Sequence, residues 1–452
     1  MCLTQRNLMQ ALRNLPKIDK FITHDAFRDL SPALVTQIAQ EQIETLRRKI
    51  LAKELETFTE EALVESVFDA YHTLLSPSLK PLINATGVIL HTNMGRSLID
   101  PRILDNAAKV ICSYSNLEYD QEAGCRGERY AHVSTHLTAL LGVEDVLVVN
   151  NNASAVFLVL NTFAKGREAV VSRGELVEIG GSFRIPEVMS QSGALLHEVG
   201  ATNKTKASDY AHAINSNTAM LMKVHRSNFT IEGFSEETPY REIKALAARH
   251  GLIDYYDLGS GYITELPYNL STVELPIAKV LEDDPALISF SGDKLFGSVQ
   301  AGIIAGKKEL IDQLKQNQLL RMLRVDKITL SILEESIKAY LEQRYELIPT
   351  LRLLFTDISV LRERAETMRQ AIGSAQCDVI KTMTFMGGGT LPNREFPTIA
   401  LHLHGKATRL ERTFRKYDII GRIEKDAFLI DLRALEPQHD ARIIETSREV
   451  CI

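Results

Sequence analysis

Lys294 is the residue of this sequence best suited to covalent chemistry. It ends the segment Phe290-Ser-Gly-Asp-Lys294, in which a glycine turn follows the strand-like run Ala286-Leu-Ile-Ser289. A lysine on such a turn can be reached by a cofactor and a substrate, and neighbours that lower its pKa leave a neutral amine able to attack a carbonyl. The sequence predicts an imine (Schiff base) between Lys294 and an aldehyde cofactor. A solvated loop lysine is the alternative.

A carboxylate and a polar turn suggest which cofactor this is. Asp257 ends a strand-like run and precedes Leu-Gly-Ser-Gly261, so it is expected at the carboxyl edge of a sheet, where it could hold a protonated pyridine nitrogen. The turn that carries Asn152, Ala153 and Ser154 leads into an apolar helix, and the free N–H groups of such a turn suit a phosphate.

Each of these segments has an ordinary explanation, since Asp257 could cap a turn and the asparagines could cap a helix. Together they occur in the order and approximate spacing of a fold-type I enzyme that uses pyridoxal 5′-phosphate (PLP). Ser291 is predicted as a further donor to the cofactor phosphate, and His225 as a contact of the cofactor ring. A histidine buried for structural reasons is the alternative for His225.

The elements that must position these groups follow a βαβ pattern. Short apolar runs alternate with helical patterns between residues 83 and 325, which predicts a doubly wound, mostly parallel sheet covered by helices. Helix starts at Ser31-Pro32 and Thr59 predict a helical module before it. A helix from Thr329 to Leu353, followed by strands, predicts a smaller α+β domain. The expected domains are 1–78, 79–325 and 326–452.

Composition narrows the class of protein. Five scattered cysteines show no metal-ligand or redox spacing, so we expect neither a metal site nor disulfides. A net charge of −6 gives no overall attraction to nucleic acid. No apolar run is long enough to span a bilayer, so a cytoplasmic protein without membrane contact is expected.

The sequence resembles bacterial selenocysteine synthase, L-seryl-tRNA(Sec) selenium transferase, over nearly its full length. Seven stretches carry the resemblance: Leu12-Arg-Asn-Leu-Pro-Lys-Ile-Asp19, Ile83-Asn-Ala-Thr-Gly-Val-Ile-Leu-His-Thr-Asn-Met-Gly-Arg96, Val149-Asn-Asn-Asn-Ala153, Glu198-Val-Gly-Ala-Thr-Asn-Lys-Thr205, Lys223-Val-His-Arg-Ser-Asn228, Asp257-Leu-Gly-Ser-Gly261 and Phe290-Ser-Gly-Asp-Lys294.

The resemblance implies a PLP enzyme that converts seryl-tRNA(Sec) to selenocysteinyl-tRNA(Sec) through an aminoacrylyl-tRNA, with selenophosphate as selenium donor. It places the PLP lysine on Lys294 and a neighbouring catalytic carboxylate on Asp293. The family's selenophosphate-binding arginines fall on Arg96, Arg129, Arg321 and Arg324. The chemistry of the side chains agrees, because guanidinium groups suit a small dianion. Arg321 and Arg324 are also spaced to share a helix face.

The resemblance also implies that residues 1–78 bind the tRNA and that the chain forms a homo-oligomer, at least a dimer and in the family a ring of dimers such as a decamer. The sequence departs from the family at three places: Glu128 stands in Arg126-Gly-Glu-Arg129 where a serine is usual, Ser298-Val299 precedes Gln300 where the family tends to have Gly-Pro, and Ala201 replaces a usual threonine. Two alternative functions stay open. One is a PLP-dependent lyase or deaminase acting on a small phosphorylated amino compound, and the other is a catalytically silent tRNA-binding homologue.

Overall fold

The computed structural model describes residues 9–55, 57–176, 178–179, 183–231, 233–272, 274–373 and 375–450. They belong to two compact units, one ending at Pro81 and the other beginning at Leu82. Across these described ranges, no helix combines the length and the apolar character needed to cross a membrane.

The N-terminal unit is helical. Its helices include α1 (Ile18–Phe21), α2 (Pro32–Leu51) and α3 (Glu60–Leu75). Both predicted helix starts are confirmed, because Pro32 occupies the first turn of α2 and the Thr59 side chain accepts the Ala62 N–H at the start of α3. Apolar side chains at helical spacing on α2 pack against α3 to form a core of its own.

The second unit is built on a seven-stranded sheet. Its strands in chain order are β4 (Asp145–Val149), β5 (Glu168–Ser172), β8 (Leu195–Val199), β9 (Thr218–Val224), β10 (Ile253–Gly259), β11 (Leu287–Ser291) and β12 (Gly302–Gly306). Short strands outside it are β1 (Ile83–Asn84), β2 (Tyr119–Asp120), β3 (Cys125–Arg126), β6 (Glu178–Ile179) and β7 (Phe183–Arg184). The spatial order is β4-β12-β11-β10-β9-β5-β8.

The sheet is mostly parallel, as predicted. Only β12 is antiparallel to its neighbours, β11 and β4, while β11, β10, β9, β5 and β8 pair in parallel. Every residue of β4, β9, β11 and β12 is buried, because helices cover both faces. The carboxyl ends of β9, β10 and β11 therefore lie side by side at one edge.

Fourteen helices of at least four residues are recorded in the described part of this unit. They are α4 (Pro101–Ile111), α5 (Ala131–Leu141), α6 (Asn152–Phe163), α7 (Ile185–Gln191), α8 (Ala207–Ala213), α9 (Tyr240–His250), α10 (Ile277–Leu281), α11 (Lys308–Gln316), α12 (Leu320–Leu323), α13 (Lys327–Leu341), α14 (Pro349–Phe355), α15 (Ile358–Ile372), α16 (Ala407–Lys416) and α17 (Asp440–Val450).

The prediction of one helix from Thr329 to Leu353 was wrong. Helix α13 ends at Leu341, Gln343 takes a left-handed backbone conformation with φ of 58°, and α14 starts afresh at Pro349. Proline has no N–H for a helical hydrogen bond and its ring collides with the preceding turn, so inside a helix it causes a kink or a break, whereas the first turn, where Pro349 lies, tolerates it.

A four-stranded antiparallel sheet follows α15. Its strands in chain order are β13 (Cys377–Gly387), β14 (Thr390–Leu403), β16 (Arg422–Glu424) and β17 (Ala427–Asp431). Their spatial order is β13-β14-β17-β16. β15 (Ile419–Ile420) pairs with β1 instead. The turn between β13 and β14 reaches back to the first part of the unit, since Gly387 forms a bridge with Leu90 and the Asn393 side chain donates to the Thr230 hydroxyl.

Candidate active site

Lys294 is buried within a tight loop after β11. The loop is fixed by backbone hydrogen bonds from Gly292 to Ala301 and from Ser298 to Gly292, each 2.8 Å long. Gly292 is required there, because a Cβ atom would lie 2.6 Å from the Val299 carbonyl oxygen. Burial lowers the pKa of the Lys294 ammonium, and the nearby Arg96 charge lowers it further. The solvated-lysine alternative is thereby excluded, and the amine is biased toward its neutral form.

Asp257 lies at the carboxyl end of β10, opposite Ser289 of β11. Its carboxylate oxygen Oδ1 accepts the Asn152 side-chain N–H at 2.8 Å and the Gly259 backbone N–H at 2.9 Å. Burial raises its pKa, while these two bonds and the Lys294 charge oppose that rise. A buried carboxyl with these partners can become ionised when a cation binds beside it.

The polar turn before α6 is held close to Asp257. Asn151 caps α6 by accepting the Ser154 N–H at 2.8 Å, which leaves the other N–H groups of the first turn without partners inside the helix. The side chain of Asn152 bonds Asp257 instead. Gly302 allows β12 to approach this turn, because a Cβ atom there would lie 2.2 Å from the Asn151 carbonyl oxygen.

His225 and Ser291 complete the surroundings. The His225 backbone N–H donates to the Asp257 carbonyl at 2.8 Å, and its ring Nδ1 is buried without a partner among the described residues. Burial, followed by the positive charge of Lys223, lowers the pKa of His225 to about 4, so the ring is neutral. Ser291 is buried at the end of β11.

The residues at this edge fit PLP. The chain supplies a buried amine with a lowered pKa, a carboxyl that a protonated ring nitrogen could keep ionised, and a helix N-terminus for a phosphate. Two buried polar atoms, Asn152 Oδ1 and His225 Nδ1, lack partners within the described ranges, as expected where a polar molecule binds.

Arg96 and Asp293 form one ion pair beside Lys294. Arg96 NH1 lies 2.7 Å from Asp293 Oδ2, and the two side chains are 33% and 13% exposed. Arg96 adopts a left-handed backbone with φ of 60° directly after Gly95, an uncommon conformation for a residue with a Cβ. The Ser97 N–H also donates to the Asp293 carbonyl. Both predicted residues thus lie at the lysine loop.

Three of the predicted anion-binding arginines converge elsewhere. Arg129, Arg321 and Arg324 line a common cavity of about 340 Å³, together with Arg126 and Glu128. The cavity is adjacent to the polar turn, because the Asn150 N–H donates to the Leu323 carbonyl. Arg96 does not line this cavity, so the four arginines are divided between two places in the chain.

Arg321 and Arg324 do not share a helix face, and that prediction was wrong. Helix α12 ends at Leu323, and Arg324 is extended so that it pairs with Val149 in an isolated β-bridge. Sequence reasoning also missed Glu118. Its carboxylate lies 2.7 Å from Arg129, 3.1 Å from Arg126 and 3.4 Å from Arg324, and nothing in its local sequence marks it.

Glu274 was missed as well. It is buried, its Oε2 atom has no partner among the described residues, and it lines a second cavity of about 380 Å³ together with His225.

A metal site is not inferred. Asp378, His402 and His404 lie close together on the outer sheet, but the 2.7 Å contact between His404 and Asp378 accounts for that pair as an ion pair.

Comparison with known proteins agrees with this geometry. The family model described as L-seryl-tRNA selenium transferase matches residues 82–436. The L-seryl-tRNA(Sec) selenium transferase of Aliarcobacter butzleri is 55% identical over 94% of this chain and 96% of its own length. That of Sulfurimonas denitrificans is 53% identical over 98% of this chain and 99% of its own.

Among solved structures, a D-glucosaminate-6-phosphate ammonia-lyase is similar with a TM-score of 0.61 and 18% identity, covering 84% of this chain and 97% of its own. That likeness concerns the fold. The sheet topology and the lysine loop define a fold-type I PLP-dependent enzyme. Within that class, the chain belongs to the L-seryl-tRNA selenium transferase family.

Proposed function

We propose that this protein converts L-seryl-tRNA(Sec) to L-selenocysteinyl-tRNA(Sec), with PLP as cofactor and selenophosphate as selenium donor. One observation carries the proposal. Relatives named for this reaction match 94% to 98% of the chain at 53% to 55% identity. The match to the Sulfurimonas protein extends over 446 residues, so it includes the N-terminal unit, which a lyase for small molecules would not need. The two alternatives are not favoured.

Lys294 and Asp257 have complementary tasks in this proposal. PLP, when bound, supplies an aldehyde that joins an amine and a ring that withdraws electrons from the α-carbon. Lys294 is the group that accepts the α-proton of the seryl moiety, because its lowered pKa leaves a neutral amine. Asp257 holds a proton at the ring nitrogen, since a cation there relieves the burial of its carboxylate.

The arginine cavity is proposed to bind selenophosphate. Arg321 has no ion-pair partner recorded within the described ranges and lines the cavity with Arg129 and Arg324. The Glu118 carboxylate draws Arg129 and Arg324 together, and an incoming dianion would compete with it for their N–H groups. Arg96 and Asp293 are proposed to act at the lysine loop, where their ion pair is partly buried.

The N-terminal unit is proposed to bind the tRNA. Arg13, Lys17 and Lys20 are exposed on it, and so are Arg47 and Lys49 on α2, which suits contacts to phosphates. Arg6, another basic residue of this segment, lies outside the described residues. We propose that residues 326–452 act as the smaller domain, that the protein works in the cytoplasm, and that it forms at least a dimer.

Selenium transfer tests the proposal directly. Purified enzyme with PLP, seryl-tRNA(Sec) and labelled selenophosphate should transfer the label to tRNA, whereas Lys294→Ala should not. Lys279→Ala, which removes an exposed lysine paired with Glu282, should match the wild type. A wild-type enzyme that binds PLP, fails to label the tRNA and releases ammonia from a small phosphorylated amino compound would instead support the lyase.

A further inference from the structure

Glu274 is a buried carboxyl group that the reaction described above does not use. It precedes α10, and its residue is 4% exposed. The Leu391 backbone N–H bonds its carboxyl, whereas the Oε2 atom has no partner within the described ranges. An unpartnered carboxylate oxygen in such a place is costly, so the group favours either its protonated form or a bound donor. Burial raises the pKa of Glu274 to about 7.

The cavity beside Glu274 opens next to the cofactor-binding residues. Its volume is about 380 Å³, and His225, Arg226 and Arg394 contribute to its walls. Glu274 Oε2 and His225 Nδ1 both lack partners among the described side chains and are both buried. Two such atoms at one cavity indicate that a polar ligand binds there. His225 also ties the cavity to Asp257 through its backbone hydrogen bond.

Glu274 is electrostatically coupled to Lys294. The Lys294 charge lowers the pKa of Glu274, and the Glu274 charge raises that of Lys294. The other charged or titratable groups around Glu274 are those of the cavity wall and two neighbouring tyrosines: His225, Arg226, Glu237, Arg394, Tyr256 and Tyr262. Arg226 is paired with Glu237 at 3.2 Å, and both tyrosines have raised pKa values, so both remain uncharged near neutral pH.

We propose that Glu274 is a catalytic acid of this site, whose carboxyl group donates a proton to the β-hydroxyl of the seryl moiety as that hydroxyl leaves. This inference rests on the proposed function. The Cβ–O bond breaks, its electron pair stays on the oxygen, and the oxygen takes the Glu274 proton to leave as water. Lys294 separately takes the α-proton, and the electrons of the Cα–H bond form the Cα–Cβ double bond. Solvent returns a proton to the Glu274 carboxylate through the cavity.

A second acid has a clear benefit in this reaction. Hydroxide is a poor leaving group, and a positioned acid typically accelerates such a step by about 10²- to 10⁴-fold. Lys294 acts as the base that takes the α-proton, so with a separate acid Lys294 does not also have to protonate the leaving hydroxyl. A carboxyl with a pKa of about 7 keeps a substantial protonated fraction at neutral pH.

The leaving group distinguishes this role from a structural one. The experiment compares wild type, Glu274→Gln and the matched control Glu265→Gln, an exposed glutamate, on seryl-tRNA(Sec) and on β-chloroalanyl-tRNA(Sec). Chloride leaves without a proton. Glu274→Gln should therefore slow elimination from the seryl substrate by at least about 100-fold and that from the chloro substrate far less. PLP absorbance and tRNA binding should stay those of the wild type.

The wild type alone gives a second test that needs no variant. Because the acid must be protonated, elimination from seryl-tRNA(Sec) should fall as pH rises through about 7, whereas elimination from the chloro substrate should not show that decline. An equal loss on both substrates in Glu274→Gln, or the same pH profile for both in the wild type, would overturn the inference. Neither result concerns the proposed function, which fails only if the wild type transfers no selenium.

Discussion

Asn152→Ala should weaken PLP binding mainly through Asp257. The side chain of Asn152 donates to Asp257 at 2.8 Å, while the contribution of Asn152 to the helix N-terminus comes from its backbone, which alanine keeps. Burial raises the pKa of Asp257 in the free enzyme, and a bound pyridinium would ionise it. The lost bond therefore stabilises mainly the complex.

The magnitude follows from the kind of hydrogen bond. A bond to a charged group contributes about 1.5 to 3 kcal/mol and one to a neutral group about 0.5 to 1.5 kcal/mol. The difference of about 1 to 2 kcal/mol corresponds to an increase in Kd of about 5- to 30-fold. Titration of apo-enzyme with PLP, followed by the absorbance of the lysine-bound cofactor, measures it. Asn106→Ala, an exposed position on α4, is the matched control.

A double-mutant cycle completes the test. In an Asp257→Asn background no carboxylate forms, so Asn152→Ala should change Kd by less than about twofold, because the charged bond no longer exists. If Asn152→Ala raises the Kd for PLP by the same factor in both backgrounds, its effect does not depend on Asp257. If it costs nothing in the wild-type background, Asp257 is not the partner of the ring nitrogen in the way we propose.

Two other perturbations test the packing and the anion site. Gly87→Ala should lower the free energy of unfolding by at least about 2 kcal/mol, because its Cβ would lie 2.4 Å from the Asp431 carboxylate and the backbone φ is 85°. Gly124 has a similar φ of 65° but open space around it, so Gly124→Ala should lower the free energy of unfolding less in the same denaturant titration. Equal losses of stability in the two variants would contradict the clash with Asp431. Arg321→Ala should raise the KM for selenophosphate at least about tenfold, because a charge-assisted contact is lost, and should leave kcat for elimination unchanged. Arg409→Ala, at an exposed position, is the control. An unchanged KM for selenophosphate in Arg321→Ala would show that Arg321 is not part of the anion site.

The sequence predicted the sheet and the lysine loop well because both depend on local signals. Buried parallel strands appear as continuous apolar runs, and the carboxyl end of such a strand fixes where Asp257 lies. The long helix before β13 was mispredicted because its apolar spacing outweighed the break at Pro349. The prediction that Arg321 and Arg324 share a helix face was wrong for a similar reason. Their spacing suits a helix, but Arg324 instead pairs with Val149 in a β-bridge.

Glu118 and Glu274 were beyond sequence reasoning for a different reason. Their importance arises from what lies near them in space: for Glu118 two arginines from the segment that follows it and a third, Arg324, from a distant one, and for Glu274 a cavity wall completed by β14. A glutamate alone is most often a solvated surface residue, so no local pattern separates these two from the rest. Only the burial and the partners of each carboxylate reveal a role.

Without a cofactor, the charged forms of Asp257 and Lys294 are destabilised by burial, and a bound cofactor would relieve that penalty. Burial raises the pKa of Asp257 and lowers that of Lys294, so both groups are pushed toward their neutral forms although their charges attract each other. A ring nitrogen that carries a proton would ionise Asp257, and covalent capture of the Lys294 amine would remove a cation whose burial is costly. Desolvation therefore favours the neutral Lys294 amine that α-proton removal requires, and the positive charge of the ring would supply what burial opposes, the ionised form of Asp257.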